Sequence, residues 1–151
     1  MSATDRLAEL GITLPTPAKP AGSYIPAIQV GSLVYSSGQL PFVDGKLLQT
    51  GKVGAEVSPE DANKAARQAA INAVAAVAAL VGLDHIKRVV KVLGFVASDP
   101  SFTAQPTVIN GASDVLVEIF GDSGKHARSA VGVAVLPADT PVEVEIIVEV
   151  A

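Results

Sequence analysis

One run near the C-terminus constrains the fold more than any other stretch. Val142, Val144, Ile146, Val148 and Val150 alternate with Glu143, Glu145, Ile147 and Glu149. Side chains on a strand point to opposite faces in turn, so this run reads as a half-buried β-strand with a solvated, largely acidic second face. The fold must therefore contain a sheet with one face covered.

Just upstream, residues 127–136 read as another strand. On it Arg128 shares a face with Ala130, Gly132 and Ala134. Those neighbours are small and leave room, and a half-buried guanidinium needs an anionic partner. Two readings fit. One is an internal salt bridge, or a solvated arginine at a strand end. The other is a ligand carboxylate held bidentately by the planar fork.

The rest of the chain supplies the cover. Ser58-Pro59-Glu60-Asp61 is a helix start: a capping hydroxyl, proline at the first helical position and two acids at the positive end of the dipole. Ala62, Ala65, Ala66, Ala69, Ala73, Val77 and Leu80 follow at helical spacing, and Gly82 stops the helix. Residues 89–97 read as a buried strand. Residues 103–120 read as a second helix with Val108, Ala112, Leu116 and Ile119 along one face. Residues 25–30 and 33–39 flank Gly31-Ser32 as a hairpin. Residues 41–49 make a short turn or hairpin around Asp44-Gly45. A short helix over 1–10 and an extended, proline-bearing connector over 13–22 precede them. The order β-β-(β)-α-β-α-β-β lets two helices cover one sheet face and leaves the other open. Self-association is an economical way to cover that open face.

Length and composition agree. A chain of 151 residues suits one domain. Aromatic residues are only 4%, so the core is built from Ala, Val, Leu and Ile, and its elements can approach closely. The net charge is -4 and the basic residues are scattered, which argues against phosphate-backbone binding. With no cysteine, the chain has no disulfide, thiolate metal site or thiol nucleophile, and it fits a cytoplasmic setting. No signal peptide is expected, because Asp5, Arg6 and Glu9 interrupt the first residues. The apolar stretch 65–83 carries Arg67, Gln68 and Asn72 and reads as a helix with one buried face, so no membrane partner is expected.

Few residues point to chemistry on spacing alone. His85 and His126 have no partners at metal-ligand spacing and read as surface or capping residues, so no metal site is expected. No phosphate-binding glycine loop is present, and Ser36-Ser37-Gly38 lacks the pattern of a nucleophile elbow. If the last two strands paired as a hairpin, Glu143 would lie opposite Leu136, far from Arg128. A site using both would then need another element or another subunit.

Four segments together resemble the RidA/YjgF family of reactive-intermediate imine deaminases. They are Gly22-Ser23-Tyr24; Val34-Tyr35-Ser36-Ser37-Gly38-Gln39-Leu40-Pro41; the strand from Val89 to Val96; and Ala127-Arg128-Ser129 with Leu136-Pro137 and Val142-Glu143-Val144-Glu145. The resemblance spans residues 20–150, which makes 1–20 an N-terminal extension and 21–151 the domain. It implies an α+β, chorismate-mutase-like fold: a mixed sheet with two helices on one face, assembled as a homotrimer with a central barrel and clefts between subunits. It implies hydrolysis of 2-imino and 2-enamino acids to 2-oxo acids and ammonia, a form of metabolite damage control. No cofactor of its own is implied. The link to the pyridoxal-phosphate enzymes that release such imines is functional, without a stable complex.

Matched residue by residue, the resemblance makes Arg128 the grip on the substrate carboxylate and Glu143 the group that positions and activates water. Tyr24, Ser37, Gly38 and Asn110 would line the cleft, and the Ala130 backbone would meet the imine nitrogen or the water. The chain departs from the family pattern at Ile25-Pro26-Ala27, at His126 where proline is common, at Ala130 and at Gly132. It reads as a divergent subgroup. Two other readings are a trimer that binds small carboxylates without turnover, and a hydrolase of another imine or amide. The ribonuclease or translation-inhibitor labels used in the family sit poorly with the acidic charge.

Overall fold

A computed structural model describes residues 1–151. Helix α2 (Pro59–Val81) begins as the sequence predicts: the Ser58 hydroxyl accepts the Asp61 N–H, and Pro59 occupies the first turn. Its buried stripe holds Ala62, Ala66, Ala69, Ala73 and Val77, but Leu80 at the expected end is 49% exposed. The helix overruns the layer beneath it by about that turn. It is long and apolar enough to cross a membrane, yet 56% of its most apolar window is buried inside the protein.

Helix α3 (Gln105–Phe120) packs beside α2, with Val108, Ala112, Leu116 and Ile119 all fully buried. The two helices approach so closely that a Cβ on Gly111 would collide with the Asn63 carbonyl. The Asn63 amide donates to the Thr107 carbonyl at 2.9 Å across the same contact. Small side chains permit this approach, as the aromatic-poor composition implies.

The strands are β1 (Ala27–Val30), β2 (Leu33–Ser36), β3 (Ile86–Ala97), β4 (Ala127–Val133) and β5 (Val142–Val150). They form one sheet in the order β1-β2-β5-β3-β4. Only the β3–β4 pair is parallel, so the sheet is mixed. The last two strands do not form a hairpin. After α3 the chain returns alongside β3 as an edge strand, and β5 then inserts between β2 and β3. A strand–helix–strand unit favours parallel pairing of its own two strands, and this takes the place that a β4–β5 hairpin would need. Residues 134–136, expected in the strand, lie beyond its end.

Because β5 is central, its alternation governs both layers. Val142, Val144, Ile146, Val148 and Val150 are buried beneath the helices, while the glutamates and Ile147 lie half-buried on the opposite face. That face carries Ile28, Tyr35 and Ile147 in one row and Phe95 and Val131 in another. No helix covers it.

Helix α1 (Ala3–Leu10) is capped by a reciprocal Ser2–Asp5 box and closed by Gly11 in the left-handed region. It belongs to the same core: Leu7 is buried there, and the Thr4 hydroxyl donates to Asp84 at 2.8 Å. The 41–49 segment is a turn with a single bridge, Val43 to Lys46, around Asp44 and Gly45 at positive φ.

Candidate functional site

Arg128 lies on edge strand β4 in register with Val92 and, through it, with the buried Ile146. Its side chain therefore emerges on the helix-covered side, at the rim. There it meets α3. Its NH1 donates to Asn110 Oδ1 at 2.8 Å and to Ser113 Oγ at 3.2 Å. These residues are one helical turn apart and so face the same way. The ion pairs of the chain are Lys52–Asp139, Arg67–Glu118 and Lys125–Asp122, and none involves Arg128. The internal salt bridge is excluded. The guanidinium is held by neutral acceptors, its charge uncompensated, and its Nε and NH2 have no partner in the chain.

The floor beside it is small for definite reasons. Ala130 pairs with Gly94, where any Cβ would clash with Ile109. Gly132 leaves space for the Gln105 side chain, whose amide donates to Ser98 Oγ at 3.2 Å and to the Phe102 carbonyl at 2.8 Å.

Glu143 lies in register with Phe95 and, through it, with Val131, on the open face. The segment after β2 runs beside it, because Gln39 exchanges backbone hydrogen bonds with Val144 at 2.8 and 3.0 Å. This lays Gly38 directly against the Glu143 carboxylate, where a Cβ would collide. Ser37 is pinned by its hydroxyl to the Ile25 carbonyl at 2.6 Å and by its N–H to the Pro26 carbonyl at 2.7 Å. Ile25-Pro26 thus anchors this wall. Tyr24 is 54% exposed, and its hydroxyl accepts the Ala21 N–H at 3.3 Å. Lys19, Tyr24, Ser37, Gly38, Pro137 and Glu143 line an open depression of about 370 Å³.

Glu143 has no hydrogen-bonding or ionic side-chain partner. Burial pushes its carboxyl above the usual carboxylate range, and the Glu145 charge pushes the same way. An unpaired, half-buried acid beside a depression is a candidate general base.

The predicted residues therefore form two candidate half-sites. Asn110, Arg128 and Ala130 sit together at the α3–β4 rim. Tyr24, Ser37, Gly38 and Glu143 sit together on the open side. Within one chain Arg128 and Glu143 are on opposite faces of the sheet.

Sequence reading missed Ser113 and left His126 as a surface or capping residue. His126 is half-buried, with Nδ1 2.6 Å from the Gly124 carbonyl and Nε2 2.9 Å from Ser113 Oγ. The signal was parity: Ser113 is three residues beyond Asn110 on a helix, and His126 is two before Arg128 at the start of a strand. No cluster of residues suited to holding a metal ion is present.

A family model described as "YjgF/chorismate_mutase-like, putative endoribonuclease" matches residues 4–150. Protein TCP17 of Trypanosoma cruzi is 46% identical over 145 residues, covering 95% of this chain and 91% of that protein. The 2-iminobutanoate/2-iminopropanoate deaminase of Dermatophagoides farinae is 37% identical over 138 residues, covering 91% and 93%. Among solved structures, a "putative endoribonuclease" from Shewanella oneidensis superposes with a TM-score of 0.96 at 34% identity, covering 99% of this chain and 100% of that one. Escherichia coli TdcF with bound serine gives a TM-score of 0.65 at 26% identity, covering 90% and 94%.

Proposed function

This chain belongs to the YjgF/chorismate-mutase-like family, and on that premise we propose that it hydrolyses 2-imino and 2-enamino acids to 2-oxo acids and ammonia. The observation that carries the reading is the pair of half-sites on opposite sheet faces. A guanidinium with free N–H donors is what a substrate carboxylate requires. An unpaired carboxylate of raised pKa is what an attacking water requires. The deaminase relative and the serine-bound relative both support a small carboxylate-bearing ligand.

The two half-sites meet if the open face of one copy is covered by the α3–β4 rim of another. We therefore place the reaction in clefts between subunits of a homotrimer. Ile28 and Val30 on the open face are 52% and 63% exposed, and apolar area of this kind is suited to burial between copies.

In the cleft, Arg128 binds the carboxylate and fixes the imine carbon. Glu143 of a neighbouring copy removes a proton from water as its oxygen bonds to that carbon, giving a carbinolamine. Glu143 passes that proton to nitrogen and then takes the proton of the carbinolamine hydroxyl as the C–N bond breaks, so ammonia leaves and the 2-oxo acid remains. The protonated imine is already electrophilic, so orientation supplies much of the acceleration.

A second reading is a trimer that binds carboxylates without turnover. It is favoured by Gln105 filling the space beside Gly132, which narrows the floor next to Arg128.

The test couples the protein to a threonine dehydratase, a pyridoxal-phosphate enzyme that releases free imine, with semicarbazide as trap. The parent chain is expected to divert imine to 2-oxobutanoate and Arg128→Ala is not. Unchanged trapping with the parent chain refutes the deaminase reading. Binding of 2-oxobutanoate without turnover would support the second.

A further inference from the structure

We propose that His126, acting through Ser113, is a positioning residue that selects which edge of the Arg128 guanidinium is presented to a carboxylate. The inference rests on the reading of Arg128 as the carboxylate anchor.

The hydrogen-bond chain has only one consistent direction for a neutral imidazole. The Gly124 carbonyl can only accept, so His126 Nδ1 carries the proton at 2.6 Å. Nε2 is then an acceptor, and the Ser113 hydroxyl donates to it at 2.9 Å. With its proton committed to His126, Ser113 Oγ turns a lone pair toward Arg128, whose NH1 donates at 3.2 Å. Asn110 Oδ1 accepts from the same nitrogen at 2.8 Å.

Both hydrogens of NH1 are therefore consumed within the chain. Nε–H and NH2 remain, and these form the parallel side-on fork of a guanidinium. A planar carboxylate can then bind along one edge only. His126 and Ser113 do not touch the ligand. They hold the arginine in one rotational setting before the ligand arrives, which lowers the entropic cost of binding.

The test measures 2-oxobutanoate binding by calorimetry and imine hydrolysis in the coupled assay, for the intact chain and five variants. Arg128→Ala sets the scale, with binding lost. Ser113→Ala removes the NH1 acceptor, and His126→Phe removes the group that orients it. Each is expected to raise Kd and KM roughly tenfold, the effect of one hydrogen bond to a charged group, with kcat within about twofold. Their combination is expected to be no weaker than the weaker single variant, because both break the same chain of bonds. His126→Gln keeps a donor and an acceptor on one planar group and is expected to recover most of the affinity.

If Ser113→Ala and His126→Phe bind like the parent while Arg128→Ala does not, the positioning role is refuted and the anchor stands. If Arg128→Ala also binds like the parent, the anchor reading falls and the positioning role with it. A Gln variant as weak as Phe, or a loss confined to kcat, would likewise overturn the proposal. Ser113→Ala carries the test if His126→Phe fails to fold.

Discussion

The two faces of the sheet both carry rows of apolar side chains and end in opposite conditions. Beneath the helices, Val92, Val96, Val144, Ile146 and Val148 are all 1% exposed or less. Buried polar groups on that side are matched: the Asn72 amide donates to the Leu40 and Phe42 carbonyls at 2.9 and 3.0 Å, and no buried side-chain polar atom lacks a partner. On the other face, Ile28, Tyr35 and Val131 are 52%, 41% and 42% exposed, interleaved with glutamates. One face is finished by the chain itself. The other leaves its apolar rows open to solvent and holds an unpaired acid. An Arg128 at the rim of the first and a Glu143 on the second make two halves that one chain keeps apart.

The comparison breaks most sharply by removing one half at a time. Arg128→Ala and Glu143→Gln are each expected to lower kcat/KM in the semicarbazide assay by about a hundredfold or more, the usual scale for a lost acid–base or charge-assisted contact. Co-refolding the two inactive variants is expected to restore about a quarter of parental activity, because a quarter of the clefts in a random ring pair two intact halves. No recovery on mixing would mean that the halves do not meet across an interface.

A second break strikes the open face alone. Ile28→Asp is expected to dissociate the assembly and abolish turnover, while far-UV circular dichroism of the monomer stays unchanged. Loss of helical signal together with assembly would show that the open face also stabilises the single chain.

Gly38→Ala probes the close approach on that side. The added Cβ meets the flexible end of Glu143, so we expect roughly a tenfold loss in kcat with a stability change under about 1 kcal/mol. A large drop in Tm with normal kcat would place the constraint in the backbone.

The finest test uses pH. Burial and the neighbouring Glu145 raise the Glu143 carboxyl, so the folded chain holds this proton more tightly than the unfolded chain. Its contribution to stability is fully present below the ordinary carboxylate range and is lost as pH rises through the raised value. Glu143→Gln is expected to flatten this slope in a Tm series between about pH 4 and pH 8. At neutral pH it should be at least as stable as the parent, though inactive. Activity of the parent should rise over the same window, as the base loses its proton.

Much of this molecule was legible in one dimension because the signals are local. The Ser58-Pro59 start of α2, the Gly31-Ser32 turn and the alternation of β5 depend on neighbours within a few residues. So does the face shared by Arg128, Ala130 and Gly132. Leu80 escaped because helical periodicity says which face points inward, not where the sheet beneath it ends. The partner of β4 stayed open in the sequence because short connections favour pairing only when no other strand claims the edge. Ser113 and His126 escaped because their partners lie 15 and 13 residues away in sequence, across α3 and the turn that follows it.

By itself the sequence determined the elements, their buried faces and the family. These follow from residue periodicity, capping and motif identity. Only the tertiary structure decided that β5 lies between β2 and β3, that Arg128 answers to neutral partners on α3, and that Glu143 sits on the other side of the sheet. Strand order and pairing are set by long-range competition for edges and burial. No local stretch of chain encodes the outcome of that competition.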